Sequence, residues 1–182
     1  MSAIIIDTET SGLLEAEGNP LENQPYIIEV YALRISDDYK PEGHFHSLVK
    51  PPKPLPEVIT KITGIRDQDL KSAPVFAAIY RPLAELFLGC HTFVAHNATF
   101  DLGMLYHELK RIDKHCRFPF TPVVYCTVEQ SMHLRGYRLK LQELHEMATG
   151  RPEIPGAHRA ENDVKALFEC YKWLRAQNVD QS

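Results

Sequence analysis

The chain has 182 residues, of which 44% are hydrophobic and 24% charged, with a formal net charge of −4. That length buries a sizeable core in a single domain, and the composition is that of a soluble globular protein rather than a disordered one. A negative balance excludes a protein that coats nucleic acid by bulk charge, and no stretch reads as a signal peptide or membrane span. Cys90, Cys116, Cys126 and Cys170 show no CxxC spacing, so reduced thiols in a cytoplasmic protein are expected and a structural zinc site is not.

In chain order, residues 3–6 predict a first strand, 27–35 a second and 44–49 a third, so the sheet begins as a meander. Residues 14–25 form a polar loop longer than most, placed to border an entrance. The Pro-rich stretch PPKPLP, residues 51–56, links the third strand to a helix. Residues 74–88 then predict a helix and 93–95 a short buried strand. Residues 100–110 predict a helix with the apolar pattern Leu102, Leu105, Tyr106 and Leu109, and 123–126 a fifth strand. Helices over 128–134, 141–147 and 160–176 follow, the last with an inward stripe of Ala160, Val164, Leu167, Tyr171 and Leu174. This order predicts an α/β fold, a mixed five-stranded sheet flanked by helices, as one domain over residues 1–182 with a short polar tail from about residue 176.

Four acids are placed to meet. Asp7 and Glu9 in IIIDTETSGL are two apart in a strand context and so point to one side of the pleat. Asp163 falls beside Ala160 and Leu167 on an inward stripe, and Asp101 lies one turn from Leu105. Close carboxylates stay ionised in a sheltered site only with a cation between them, and no matching run of inward Lys or Arg accompanies these four. Oxygen donors of this kind suit a hard divalent cation. On a continuous helix His158 and Asp163 would diverge by roughly 140°, so the Pro155-Gly156 dipeptide predicts that His158 sits on a mobile loop just before the helix.

DTETSGL, HNATFD and HRAEND, in this order, resemble the three motifs of the DEDDh group of 3'→5' exonucleases, the DnaQ-like family that includes the proofreading epsilon subunit of bacterial DNA polymerase III. The resemblance runs from Ile4 to about Leu174. It implies a ribonuclease H-like fold, two Mg²⁺ or Mn²⁺ ions, and release of nucleoside 5'-monophosphates from the 3' end of DNA. Two such ions roughly 3.5 to 4 Å apart activate a water and stabilise the leaving 3' oxygen. By motif position Asp7 bridges both ions, Glu9 and Asp163 complete the shell of the ion that holds the water, and Asp101 reaches the site from the other side. His158 is then the candidate general base, since imidazole titrates near neutral pH. In the related DEDDy group a Tyr stands four residues before the last Asp, and that position here is Arg159.

The same resemblance places substrate contacts at Leu13 beside Gly12, at Phe100, and at Ile62, Thr63 and Gly64 of KITGI, with Thr8 and Thr10 of the first motif beside them. Phe100 reads equally as a core aromatic. His96 and Asn97 either orient the backbone before Asp101, contact substrate, or serve a structural hydrogen-bonding role. The basic groups Lys110, Arg111, Lys114 and Arg117, and Arg135, Arg138 and Lys140, read as solvated helix faces or as guides for a strand. The expected substrates are single-stranded or frayed 3' ends of DNA, with weak nonspecific affinity predicting distributive trimming or delivery by a DNA polymerase or repair partner. The polar tail predicts no C-terminal segment of the kind by which polymerase-associated relatives attach. The alternatives are an exoribonuclease of the same family, separated by how the pocket treats a 2'-OH, and a noncatalytic nucleic-acid-binding module. No apolar stripe is left over to predict an oligomer.

Overall fold

The computed structural model describes residues 2–16 and 18–179. Five strands form one sheet in the order β3-β2-β1-β4-β5, namely β1 (Ala3–Thr10), β2 (Ile27–Ile35), β3 (Pro41–Leu48), β4 (Thr92–Ala95) and β5 (Val123–Cys126). β1, β2 and β3 are antiparallel neighbours, whereas β1, β4 and β5 run parallel. The predicted meander is therefore continued on the other side of β1 by helix-connected parallel strands.

The central strand explains the layering. Ala3, Ile4, Ile5 and Ile6 are all buried, because helices cover both faces of the sheet and an unbroken apolar run replaces the alternation of a half-exposed strand. On one face Ile4 and Ile6 pack with Leu83, Phe87, Met104 and Leu105 of α3 (Phe76–Phe87) and α4 (Ala98–Ile112). On the other, Ile5 and Val94 pack with Leu144 of α6 (Leu141–Thr149) and with Val164, Leu167 and Leu174 of α7 (Ala160–Val179). The predicted stripe of α7 is buried throughout. Helix α5 (Thr127–Arg135) follows β5 directly, and a smaller cluster of Ile28, Ile65 and Leu70 closes one end.

Some expectations need correction. β1 extends through Thr10 rather than ending at Ile6, because its pairing with β2 continues as Asp7↔Tyr31, Thr8↔Val30 and Glu9↔Glu29 before the register shifts at Thr10. The two acids are thus part of the strand. Two short helices, α1 (Glu57–Thr63) and α2 (Asp67–Leu70), were not separately expected, although α1 does begin immediately after PPKPLP. KITGI accordingly forms the end of α1 and its cap: Gly64 adopts φ 73, the left-handed conformation that terminates a helix. Tyr106 is 50% exposed beneath the Lys110 ammonium, and Met104 takes the buried position. α7 runs past the predicted tail boundary to Val179, and residues 180–182 lie outside the described residues.

Candidate active site

β1 carries Asp7 and Glu9 toward the layer of α7, and the first turn of α7 returns Asp163 to the same spot. Carboxylate oxygens of Asp7, Glu9 and Asp163 lie within 4.8 Å of one another. Between Asp7 and Glu9, Thr8 points to the opposite face, where its hydroxyl donates to Asp101 Oδ1 at 2.8 Å. Asp101 is buried in the first turn of α4. Asp101 is outside the three-way group, yet among neighbouring charges it is the strongest influence on Asp7. Asp101 and Asp163 both sit at helix N-termini, where the aligned peptide dipoles favour negative charge.

The electrostatics fit an ion-binding cluster. Burial, followed by repulsion from Asp101, Asp163 and Glu9, holds the Asp7 carboxyl well above the usual carboxylate range. Burial, then Asp163 and Glu29, pushes Glu9 up to about 7. Burial pushes Asp101 up to about 7 against the Thr8 hydrogen bond, and raises Asp163 against the hydrogen bond from the His158 backbone. Four carboxyls that resist ionising together, all oxygen donors, form a set that a divalent cation would neutralise.

Sequence reasoning missed a fifth acid. Glu29 lies directly across the ladder from Glu9 and is fully buried. Like charges in that position repel, but Glu29 is taken up by Arg159, whose Nε and Nη2 donate to its two carboxylate oxygens at 2.9 and 2.8 Å. His46 Nε2 lies 2.8 Å from the same carboxylate. These contacts, Arg159 foremost, draw Glu29 below its ordinary value in spite of burial. An acid in the apolar run IIEVYALRI, in step with Tyr31 and Ile35 on one face, was the available signal. Arg159 and Arg111 do reach inward, but onto Glu29 and, at 3.0 Å, onto the buried Glu108, rather than onto the four predicted acids.

His158 precedes α7 as expected and lines a cavity of about 610 Å³ together with Asp7, His96, Asn97, Arg138 and Asp163. Its backbone is not free, however. The His158 N–H donates to Asp163 Oδ2 at 3.0 Å, and the next residue is anchored on Glu29. The loop is thus tied to α7 at His158, a residue that is itself exposed.

The other predicted contacts divide by what their polar atoms already do. Thr8 bonds Asp101, Thr10 donates to the Gly12 carbonyl at 2.7 Å, and Thr63 donates to the Ile59 carbonyl at 3.0 Å. His96 accepts the Thr127 hydroxyl at Nδ1 and donates from Nε2 to the Leu139 carbonyl, so both ring nitrogens are used inside the protein. Asn97, in the left-handed region at φ 71, accepts from Arg138 at 2.8 Å. Phe100 is half-buried against the α3–α4 core. Leu13 at 81% exposure and Ile62 at 50% present apolar surface to solvent. Leu14 secures the loop after β1 by packing where a Cβ on Gly103 of α4 would lie, 2.8 Å from its Cδ1. Of the basic groups, Arg138 and Lys140 line the cavity, whereas Arg111 is spent on Glu108, two loop carbonyls and the Tyr26 ring.

The family model described as Exonuclease matches residues 4–171. The DNA polymerase III subunit epsilon of Rickettsia typhi is 34% identical over 111 residues, 61% of this chain and 45% of that protein. The 3'-5' exonuclease DinG of Bacillus subtilis is 32% identical over 166 residues, 89% of this chain and 16% of that one. The chain therefore spans less than half the length of these relatives. Among solved structures, Exonuclease X in complex with 5' overhanging duplex DNA superposes with TM-score 0.65 at 22% identity, covering 97% of this chain and 93% of that one. Exonuclease I, in a structure concerned with processivity, gives 0.75 at 21% identity over 96% and 41% of the two chains. These likenesses establish the ribonuclease H-like fold.

Proposed function

The chain belongs to the exonuclease family, with DNA polymerase III epsilon subunits and 3'-5' exonucleases among its homologues, and on that premise we propose that it is a DEDDh enzyme that hydrolyses phosphodiester bonds at the 3' end of DNA. The products are nucleoside 5'-monophosphates. The observation that carries this reading is the convergence of Asp7, Glu9 and Asp163 within 4.8 Å, in a spot where burial above all, with repulsion from neighbouring acids, raises each carboxyl. Asp7, Glu9, Asp101 and Asp163 would hold two divalent ions, Mg²⁺ or Mn²⁺, which when bound activate the water and offset charge on the leaving 3' oxygen.

The chain's own residues do the rest. The His158 imidazole, exposed on the cavity wall near Asp7 and Asp163, accepts the proton of the attacking water. Arg138, steadied by Asn97, and Lys140 present positive charge where the phosphate backbone enters. Leu13 and Ile62 offer exposed apolar surface for unstacked bases of a single-stranded or frayed end. The DNA reading draws on relatives named as DNA polymerase III subunits. A polymerase or repair protein that delivers ends would compensate for the net charge of −4. No described helix is long and apolar enough to cross a membrane. Four free thiols support a cytoplasmic setting.

The test is digestion of 3'-labelled and 5'-labelled DNA and RNA oligomers, single- and double-stranded, with Mg²⁺, Mn²⁺ or chelator. Monophosphate release from 3'-labelled DNA that needs the metal is expected. Preferred cleavage of RNA would replace the DNA reading with the exoribonuclease one, and intact oligomers under saturating Mn²⁺ would refute both.

A further inference from the structure

We propose that Glu29 and Arg159 form a clamp that positions His158 without touching substrate, an inference that rests on His158 being the general base. Three consecutive residues are tethered. The His158 N–H donates to Asp163 Oδ2 at 3.0 Å, the Arg159 guanidinium forks onto Glu29 at 2.9 and 2.8 Å, and the Ala160 N–H donates to Glu29 Oε2 at 3.3 Å. Glu29 thus caps the start of α7 and grips the residue next to the base at the same time. It does so from β2, 130 residues away in sequence, so its reach is tertiary.

The backbone of His158 shows why a clamp is needed. Its φ is 63, in the left-handed region that a residue with a Cβ leaves unless its surroundings hold it. Its own N–H and the two residues after it supply that restraint, while the imidazole remains exposed on the cavity wall with Asp7 and Asp163. A planar guanidinium fixes orientation as well as distance because it binds both carboxylate oxygens at once, which an ammonium does not. His46, 2.8 Å from Glu29 Oε1, closes the acid's remaining side. Releasing Arg159 would let His158 relax toward an ordinary backbone conformation and carry the imidazole away from the acids. The acids themselves would keep their places on β1 and α7.

The alternative role for the pair is a fold staple with no bearing on the base. Kinetics separate the two. The variants Arg159→Lys and Glu29→Gln, each alone and each combined with His158→Ala, would be assayed on a 3'-labelled single-stranded DNA oligomer under saturating Mn²⁺. Mn²⁺ affinity would be measured by calorimetry without DNA. Arg159→Lys keeps a cation beside Glu29, and the neutral pair Glu29→Gln/Arg159→Gln serves if a single variant does not fold. A clamp predicts a fall in kcat of about 10- to 100-fold with KM and Mn²⁺ affinity within about twofold of the parent. It also predicts no further loss when the same changes are made in the His158→Ala background. Losses that multiply with that of His158→Ala, or Mn²⁺ affinity that falls in step with kcat, would overturn the clamp while leaving the exonuclease reading intact. An unchanged rate in His158→Ala alone would overturn His158 as base, and the clamp with it.

Discussion

Acidification should destabilise the fold through His96 alone by an amount that can be calculated. Burial, the first cause, holds this imidazole down at about 4, outweighing the hydrogen bond to the Leu139 carbonyl. In the unfolded chain it returns to about 6.5. Because the folded-state pKa is the lower one, the unfolded chain binds the proton more readily. The stability contributed by the neutral ring is therefore fully present above about pH 6.5 and is lost as pH falls toward 4. Integrating between pH 7 and pH 5 gives a loss of about 2 kcal/mol. The raised acids Glu9 and Asp101 act in the opposite direction, since they hold protons in the folded state. The informative quantity is consequently the difference between the parent protein and His96→Gln. Urea denaturation of both in chelator at pH 7, 6 and 5 should show the parent losing about 2 kcal/mol relative to the variant. Parallel pH curves would mean that burial at the end of β4 does not hold His96 neutral.

Three further outcomes follow from the same structure. Asp7→Asn should take nuclease activity below detection yet raise the melting temperature in chelator, because it relieves the repulsion centred on Asp7; a variant that melts lower or still cuts would count against the acid cluster. Mn²⁺ at about 100 times its dissociation constant should add about 2.7 kcal/mol of stability, seen as a melting temperature that climbs with metal, and a melt indifferent to Mn²⁺ would sink the ligand assignment. Leu83→Ala, at a fully buried position of α3, should cost about 3 kcal/mol in urea denaturation with kcat unchanged, and a cost under about 1 kcal/mol would show that this part of the core is loosely packed.

Legibility in the sequence followed range. The strand over residues 27–35, the fifth strand and the α7 stripe were readable because β-branched runs and helical spacing are local signals. Asp7, Glu9 and Asp163 were readable because period two and period 3.6 fix which side of an element a residue faces, and the structure does bring them together. Glu29 was not read, because its meaning depends on Arg159 arriving from far along the chain. For the same reason Pro155-Gly156 signalled a loop but could not reveal that its last residue is fastened. His96 stood undecided between contact and support until Thr127 and Leu139 were seen to occupy both nitrogens. Tyr106 had the right spacing for the interior, yet the helix turns it outward under Lys110.

Asp7 and Glu9 belong to one helical layer while Thr8, between them, fastens Asp101 from the other. On the proposed reading, catalysis therefore requires both layers to stay seated on a single strand, and detaching either would dismantle the centre. Enzymatic turnover should fade in concert with global melting, so a nuclease assay would double as a sensitive gauge of native population under stress.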